Sequence, residues 1–143
     1  MIAIIAGVFA FVTTLFVALF YFALAFGAPM GEYAFGRQLA NTAAVFSTAA
    51  GRVLGGIHRF FSAVTGLFFL AIAGHYASML GWLPSLLDSH GRAYALWGLT
   101  GLWGLWLISN LTTKNEQEKR LFAGISGALL VANILVMIFY RTT

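Results

Sequence analysis

The chain has 143 residues, of which 61% are hydrophobic and only 8% are charged. Soluble domains carry about 25% charged residues, and a soluble fold of this length leaves too much surface in water to hide so much apolar area. The net charge of +4 comes from basic residues scattered between apolar stretches, which favours membrane topology and anionic lipid over nucleic acid as its cause.

Four long apolar stretches dominate the chain, and we predict a membrane-spanning helix in each. They cover residues 2–27, 57–81, 93–112 and 121–140. An apolar run of about 20 residues is long enough to cross the hydrocarbon layer as a helix. The first stretch lacks the basic segment that begins a secretory signal peptide. It is also longer than the apolar segment of such a peptide, so we interpret it as a retained span. The predicted fold is all-α: a polytopic four-helix bundle, with residues 1–143 as one domain.

The first connection, residues 28–56, is the unusual one. Two glycines, a proline and an acid, within residues 27–32, end the first span abruptly. Residues 38–56 are rich in alanine, glycine, serine and threonine, too polar to span and too apolar to extend freely into water. Two interpretations stay open: a segment folded against or half inserted into the bundle, where protein or a wet cavity covers its backbone, or a loop on the membrane surface.

The distribution of basic residues predicts the orientation. Connections one and three lie on one side of the membrane, and they and the adjoining helix start carry Arg37, Arg52, Arg59, Lys114, Lys119 and Arg120. The other side carries Arg92 and Arg141. Because cytoplasmic loops are enriched in lysine and arginine, we predict that both termini lie outside the cytoplasm.

Small residues on the later spans predict close helix packing. The glycines concerned are Gly98, Gly101 and Gly104 on the third span and Gly124 and Gly127 on the fourth. Small residues let a neighbouring helix approach closely. For the tryptophans between them we favour ordinary packing or lipid contact over a tryptophan-lined cofactor site.

Polar residues inside the spans need partners, because unpaired polar groups are costly in lipid. We expect Asn110, Asn133 and Ser62 to form hydrogen bonds between helices. His75 is the one ionisable residue of 60–87 and suits a proton relay or a haem or metal ligand. His58 lies seventeen residues away, about 25 Å along the same helix, so a bis-histidine haem is disfavoured.

Polar and charged residues concentrate at the predicted cytoplasmic end. We predict a ligand pocket there, and its residues are Glu32, Arg59, Ser62, Asn110, Glu118 and Arg120. Glu32 pairs plausibly with Arg59, and Glu118 with Arg59 or Arg120, because charges beside apolar runs need partners. The alternative is a set of snorkelling charges that only anchor the helices.

No catalytic constellation is evident. The sequence lacks a phosphate-binding loop, an HExxH motif and a serine–histidine–acid arrangement, and without cysteine it has no thiolate chemistry. We expect no catalytic residue, cofactor or metal, and we lean against an enzyme.

The chain resembles a group of small bacterial integral membrane proteins without an established reaction. The shared feature is Gly-Ala-Pro-x-Gly-Glu/His after the first helix, here residues 27–32, with further likeness at 53–55, 59–62, 110, 113–115 and 118–120. The chain departs from the family at Arg37, where the family has glycine, and at Gly55, where it has proline. The resemblance implies the bacterial inner membrane and a common role for the residues of the cytoplasmic end.

The leading functional hypothesis is binding of a lipid headgroup, small amphiphile or solute in the cytoplasmic-side pocket. The second is a small transporter or channel that works as a homo-oligomer with its pore at a subunit interface. The third is an accessory or assembly subunit of a larger membrane complex. Membrane lipid, a second copy of the chain and a larger membrane protein are the expected partners, and nucleic acid is not among them.

Overall fold

The computed structural model describes residues 1–28, 49–114 and 116–140, with side chains for 1–28, 56–114, 116 and 119–139. These residues form four helices and no strand. The helices are α1 (Ile2–Ala25), α2 (Ala49–Met79), α3 (Ser89–Thr112) and α4 (Glu116–Tyr140). The predicted all-α class is therefore confirmed for the described part of the chain.

Three of these helices are long and apolar enough to cross a membrane. The qualifying segments are Ile2–Ala25, Gly56–Met79 and Lys119–Phe139. Helix α3 has the length, at 24 residues, but is not among them. Its glycines, its tryptophans and Asn110 have low hydropathy. They lower the mean hydropathy of the helix despite the leucines between them.

Three helices begin earlier than predicted. Helix α2 begins at Ala49 rather than 57, so residues 49–56 are helical and do not belong to the first connection. An already formed helix extends at little cost, even through the glycines of this segment. Helix α3 begins earlier because Asp88 caps it, accepting a 2.7 Å hydrogen bond from the Gly91 N–H. Helix α4 begins at Glu116, which places that acid in its first turn and not in a linker.

The helices run antiparallel in sequence order. The start of α1 lies beside the ends of α2 and α4, where Ile2, Leu80 and Phe139 line one cleft. At the opposite end, the Arg59 guanidinium of α2 lies against Gly27, just after α1. Helix α1 packs on α2 and α4, and α3 packs on α4. One end of the bundle therefore collects the end of α1, the first described turns of α2, the end of α3 and the start of α4.

The surface of the bundle is as apolar as its interior. Large side chains such as Ile5, Phe16, Leu105 and Ile108 are each more than half exposed. In water such a surface would drive aggregation. In a membrane it contacts the apolar lipid chains, which is favourable. The exposed apolar belt supports integration of the protein into a membrane, as the sequence predicted.

The closest helix contact at a glycine between α1 and α2 occurs at Gly66, which was not among the predicted glycines. A Cβ placed on Gly66 of α2 would lie 3.1 Å from the Phe22 ring and 3.3 Å from the Ala18 carbonyl oxygen of α1. By contrast, no described atom lies within 4 Å of a Cβ on Gly98, Gly101, Gly104 or Gly124. The prediction that these four glycines admit a neighbouring helix was therefore wrong within the described chain. At the fifth predicted glycine, Gly127 of α4, a Cβ would lie 3.7 Å from Leu107 of α3, so that glycine does face the neighbouring helix.

Candidate functional site

The basic end of the bundle is defined here by Arg59, Lys114, Lys119 and Arg120, which the helix topology places at the same end. Arg59, Lys114 and Arg120 are exposed, and Lys119 is half-buried. Glu116 is the acid described at this end. One end of the described bundle therefore carries four basic side chains.

Arg59 is positioned by the turn that ends α1. Gly27 has φ of +94°, a left-handed conformation that favours glycine. The Gly27 and Ala28 N–H groups donate to the carbonyls of Leu24 and Ala23, closing the helix end. An Nη atom of Arg59 would lie only 2.9 Å from a Cβ at Gly27. The missing side chain therefore makes room for the guanidinium.

Three buried polar residues lie in the half of the bundle beneath the basic end. Asn110 of α3 donates a 3.4 Å hydrogen bond from Nδ2 to Oγ of Ser126 in α4. Ser126 in turn donates to the Phe122 carbonyl at 2.6 Å. Ser62 of α2 is 2% exposed. Asn110 thus makes the hydrogen bond between helices that its sequence position suggested.

The structure describes the side chains of four of the six residues that we predicted to form a pocket. Arg59, Ser62, Asn110 and Arg120 lie toward the same end of the bundle, two at the surface and two buried. Glu32 lies outside the described residues, and so does the side chain of Glu118, which belongs to the first turn of α4. The predicted pairs of Glu32 and Glu118 with arginine stay predictions.

Further from the basic end, an aromatic cluster lies at the centre of the bundle. Its six rings come from all four helices, and they are Phe20, Tyr21, Phe69, Trp103, Trp106 and Phe122. Phe69 of α2 is the hub: it stacks on Tyr21 at 5.7 Å and on Trp103 at 5.9 Å, and it contacts Trp106 at 5.3 Å between ring centroids. Such contacts exclude water and join the helices through dispersion and ring electrostatics.

A polar network beyond the cluster joins α2, α3 and α4. The Tyr76 hydroxyl donates to Asn133 Oδ1 at 2.7 Å and accepts from Trp103 Nε1 at 3.2 Å. Asn133 Nδ2 donates to the Leu96 carbonyl at 3.0 Å and to Thr100 Oγ1 at 2.8 Å. The Thr100 hydroxyl donates to the Leu96 carbonyl at 2.9 Å. Every side-chain N–H and O–H of the network is therefore used, and Asn133 forms the predicted bonds between helices.

This network acts as a joint between helices and is poorly suited to bind a ligand. Tyr76, Trp103 and Asn133 are each 0% exposed. A fully satisfied buried network offers a ligand no donor and stabilises one arrangement of the helices.

His75 precedes Tyr76 and is half-buried, with its ring 6.1 Å from the Tyr76 ring. Its Nε2 atom is buried, and it has no hydrogen-bond partner in the part of the chain that the structure describes. Among those same residues no group of three or more histidine, aspartate and glutamate side chains lies together. The described residues therefore bring no second and third metal-binding side chain of this kind to His75.

Sequence reasoning missed Tyr76 and gave Trp103 only a packing role. A usable signal existed, because a buried asparagine in lipid needs donors and acceptors on facing helices. Tyrosine and tryptophan are the aromatic residues that can supply them. Choosing Tyr76 and Trp103 among the nine tyrosines and tryptophans requires the rotation and depth of each helix.

No known protein family, curated protein sequence or solved structure matches the chain.

Proposed function

We propose that the protein is an integral protein of the bacterial inner membrane with four spans and both termini outside the cytoplasm. As a helix of 24 residues, α3 is about 36 Å long, which suffices for the roughly 30 Å hydrocarbon layer. Its polar side chains Asn110 and Thr100 are bonded to α4, so its low hydropathy does not expose those groups to lipid. The cation-rich end then faces the cytoplasm, as the distribution of basic residues in bacterial proteins requires.

We further propose that the basic end binds the anionic headgroup of a membrane lipid or small amphiphile. What supports this proposal is the placement of Arg59, Lys119 and Arg120 at one end of the bundle, which also exposes large aromatic side chains. Phe26, Phe60 and Phe61 are 88%, 65% and 57% exposed. Cations beside exposed aromatic rings suit the boundary between headgroups and acyl chains, where anionic lipid is attracted to lysine and arginine.

The buried residues of the same half give this proposed site its fixed geometry. Asn110 ties the end of α3 to α4 through Ser126, which sets where Lys119 and Arg120 emerge. In the proposal Ser62 contributes from α2, and Glu32 and Glu118 are the acids that pair with the arginines and limit which anions enter. In this proposal, charged side chains at fixed positions hold the headgroup and no residue reacts with it. The proposed function is therefore binding.

The aromatic cluster bears on the transport alternative. Phe69, Trp103 and Trp106 occupy the space between the four helices, so a wet path along the axis of a single bundle would have to displace them. Transport would need a path between subunits. Headgroup binding requires no such assembly, and we favour it.

The test is lipid retention by the purified protein in nanodiscs of mixed phosphatidylglycerol and phosphatidylcholine, read by native mass spectrometry. We expect a preference for phosphatidylglycerol that falls about fivefold for each of Arg59→Gln and Arg120→Gln, since a basic residue near an anionic surface is worth about 1 kcal/mol. Arg92→Gln, a loss of the same charge near the opposite end, is the control and should leave the preference unchanged. Equal loss in all three variants would contradict a site at the basic end.

A further inference from the structure

His75 is an ionisable side chain that the proposed headgroup site does not use. It lies on α2 about one helical turn before the helix ends at Met79, toward the end of the bundle opposite the basic end. Its ring is half-buried, and its Nε2 atom is buried without a hydrogen-bond partner in the described part of the chain. Buried polar atoms in folded proteins are nearly always hydrogen-bonded, so this atom calls for a physical explanation.

The polar network fixes the position of His75 between the helices. The next residue, Tyr76, donates its hydroxyl proton to Asn133 of α4 at 2.7 Å. Asn133 in turn donates to the Leu96 carbonyl of α3 at 3.0 Å. Leu96 follows Arg92 by one turn of the helix. His75 is therefore held near the first turns of α3, where Arg92 lies.

Arg92 adds a permanent positive charge beside the imidazole. It lies half-buried in the first turn of α3, close enough to His75 for the two side chains to interact electrostatically. Arginine stays protonated at physiological pH. A proton bound to His75 would therefore place a second positive charge near the first, in a partly dry part of the bundle where repulsion is stronger than in water.

The other ionisable groups at this end do not offset that repulsion. From α1 comes the amine of Met1, which is also positive, and residues 121–139 of α4 contain no ionisable side chain. His90 and Tyr94 of α3 are exposed. The acid described at this end is Asp88, which is exposed and accepts a backbone N–H as the cap of α3. Because solvent screens an exposed charge, this carboxylate compensates a buried cation only weakly.

We infer that His75 makes the junction between α2 and α3 sensitive to acid. With a neutral imidazole, the hydrogen bond between Tyr76 and Trp103 holds the two helices together. Protonation adds a charge that Arg92 repels and that the buried Nε2 atom shares with no acceptor of the described residues. The junction then opens, which gives the protonated ring access to water.

The direction of the effect with pH follows from where the proton is better accommodated. In the open junction water solvates the imidazolium, whereas the closed junction withholds water from Nε2. The closed state is therefore favoured at neutral pH and loses stability as the pH falls below about 6.5, where histidine gains its proton. In the orientation proposed above, this end faces away from the cytoplasm, so the junction responds to the pH on that side.

The test is unfolding by sodium dodecyl sulfate in mixed micelles, followed by tryptophan fluorescence at about pH 7.5 and about pH 5. For the native sequence we expect acidification to raise the unfolding equilibrium constant about tenfold. His75→Gln keeps a polar side chain but cannot titrate, and it should lose most of this dependence. His90→Gln, which removes an exposed histidine from the first turn of α3, is the control and should respond to acid as the native sequence does.

Arg92→Gln is the second variant, and it keeps His75 while removing the repelling charge. Its acid response should shrink to about threefold, because burial of the imidazole remains. Amide hydrogen exchange at the same two pH values, corrected for the intrinsic rates, should show faster exchange on acidification in the first turns of α3 and little change in α1. If His75→Gln proves too unstable to measure, these two results decide the question.

Equal stability of the native sequence at both pH values would overturn the inference, and so would an acid response that persists in full in His75→Gln or in Arg92→Gln. The outcome is independent of the headgroup proposal. His75→Gln retains Arg59 and Arg120, so at about pH 7.5 it should still prefer phosphatidylglycerol.

Discussion

The Tyr76 hydroxyl donates a 2.7 Å hydrogen bond to Asn133 Oδ1, joining α2 to α4 across 57 positions of sequence at a depth where both side chains are 0% exposed. The same hydroxyl accepts the indole N–H of Trp103. One oxygen therefore connects three of the four helices. Because water cannot replace these partners in the bundle interior, the pair should make a measurable contribution to stability.

Tyr76→Phe is expected to lower the free energy of unfolding by about 1–3 kcal/mol, because it leaves Asn133 Oδ1 and the Trp103 N–H without a partner. Unfolding by sodium dodecyl sulfate in mixed micelles, followed by tryptophan fluorescence, measures the change. Tyr94→Phe, the same substitution at a residue that is 75% exposed, should have little effect. Equal effects in the two variants would mean that the network adds nothing to stability.

Gly66→Leu should separate α1 from α2. The new side chain meets both the Phe22 ring and the backbone at Ala18, and backbone cannot move aside as a flexible side chain can. Overpacking of this kind costs about 1–3 kcal/mol. Gly101→Leu is the matched control, since no described atom lies within 4 Å of its Cβ position. The unfolding assay in mixed micelles should show a lower midpoint for Gly66→Leu alone.

Phe69→Leu should weaken the aromatic cluster. The variant removes ring contacts to Tyr21, Trp103 and Trp106 and leaves a partly empty space between four helices. Loss of this packing should cost about 1–3 kcal/mol and raise the exchange rate of amide hydrogens in α3. Phe68→Leu, at the adjacent and half-exposed position, serves as control. An equally large shift of the unfolding midpoint for Phe68→Leu would show that the cluster adds no more stability than other aromatic side chains.

The four-span topology is open to a direct test, because the chain contains no cysteine of its own. We expect Leu86→Cys, in the exposed connection between α2 and α3, to react with a membrane-impermeant maleimide in intact cells. Lys114→Cys, in the connection between α3 and α4, should react only after the membrane is permeabilised. The reverse pattern would invert the orientation. Reaction of both sites from one side would mean that α3 does not cross.

Helical content was predictable and its boundaries less so. Apolar runs of 20 or more residues located all four helices, since the bilayer permits few other backbone structures. The starts of α2, α3 and α4 were placed too late, because the prediction followed hydropathy. A helix continues through polar residues until a cap or a break ends it, and Asp88 is such a cap for α3.

For the candidate site, the basic residues of one end could be predicted from the sequence, because the charge of a side chain is known without the fold. It also indicated that Asn110 and Asn133 would form hydrogen bonds between helices. It did not identify their partners Ser126 and Tyr76. Those depend on which faces of the helices meet, and no described atom lies within 4 Å of a Cβ on the glycines expected to mark the contacts of α3.

Composition and hydropathy alone determined that this protein is helical and suited to lipid, and that its cations concentrate at one end. These properties add up residue by residue along the chain. The tertiary structure decided that Gly66, and not Gly101, admits a neighbouring helix, and that Tyr76 completes the bonding of Asn133. Partner choice depends on the rotation and depth of each helix relative to the others, and a one-dimensional pattern contains neither quantity.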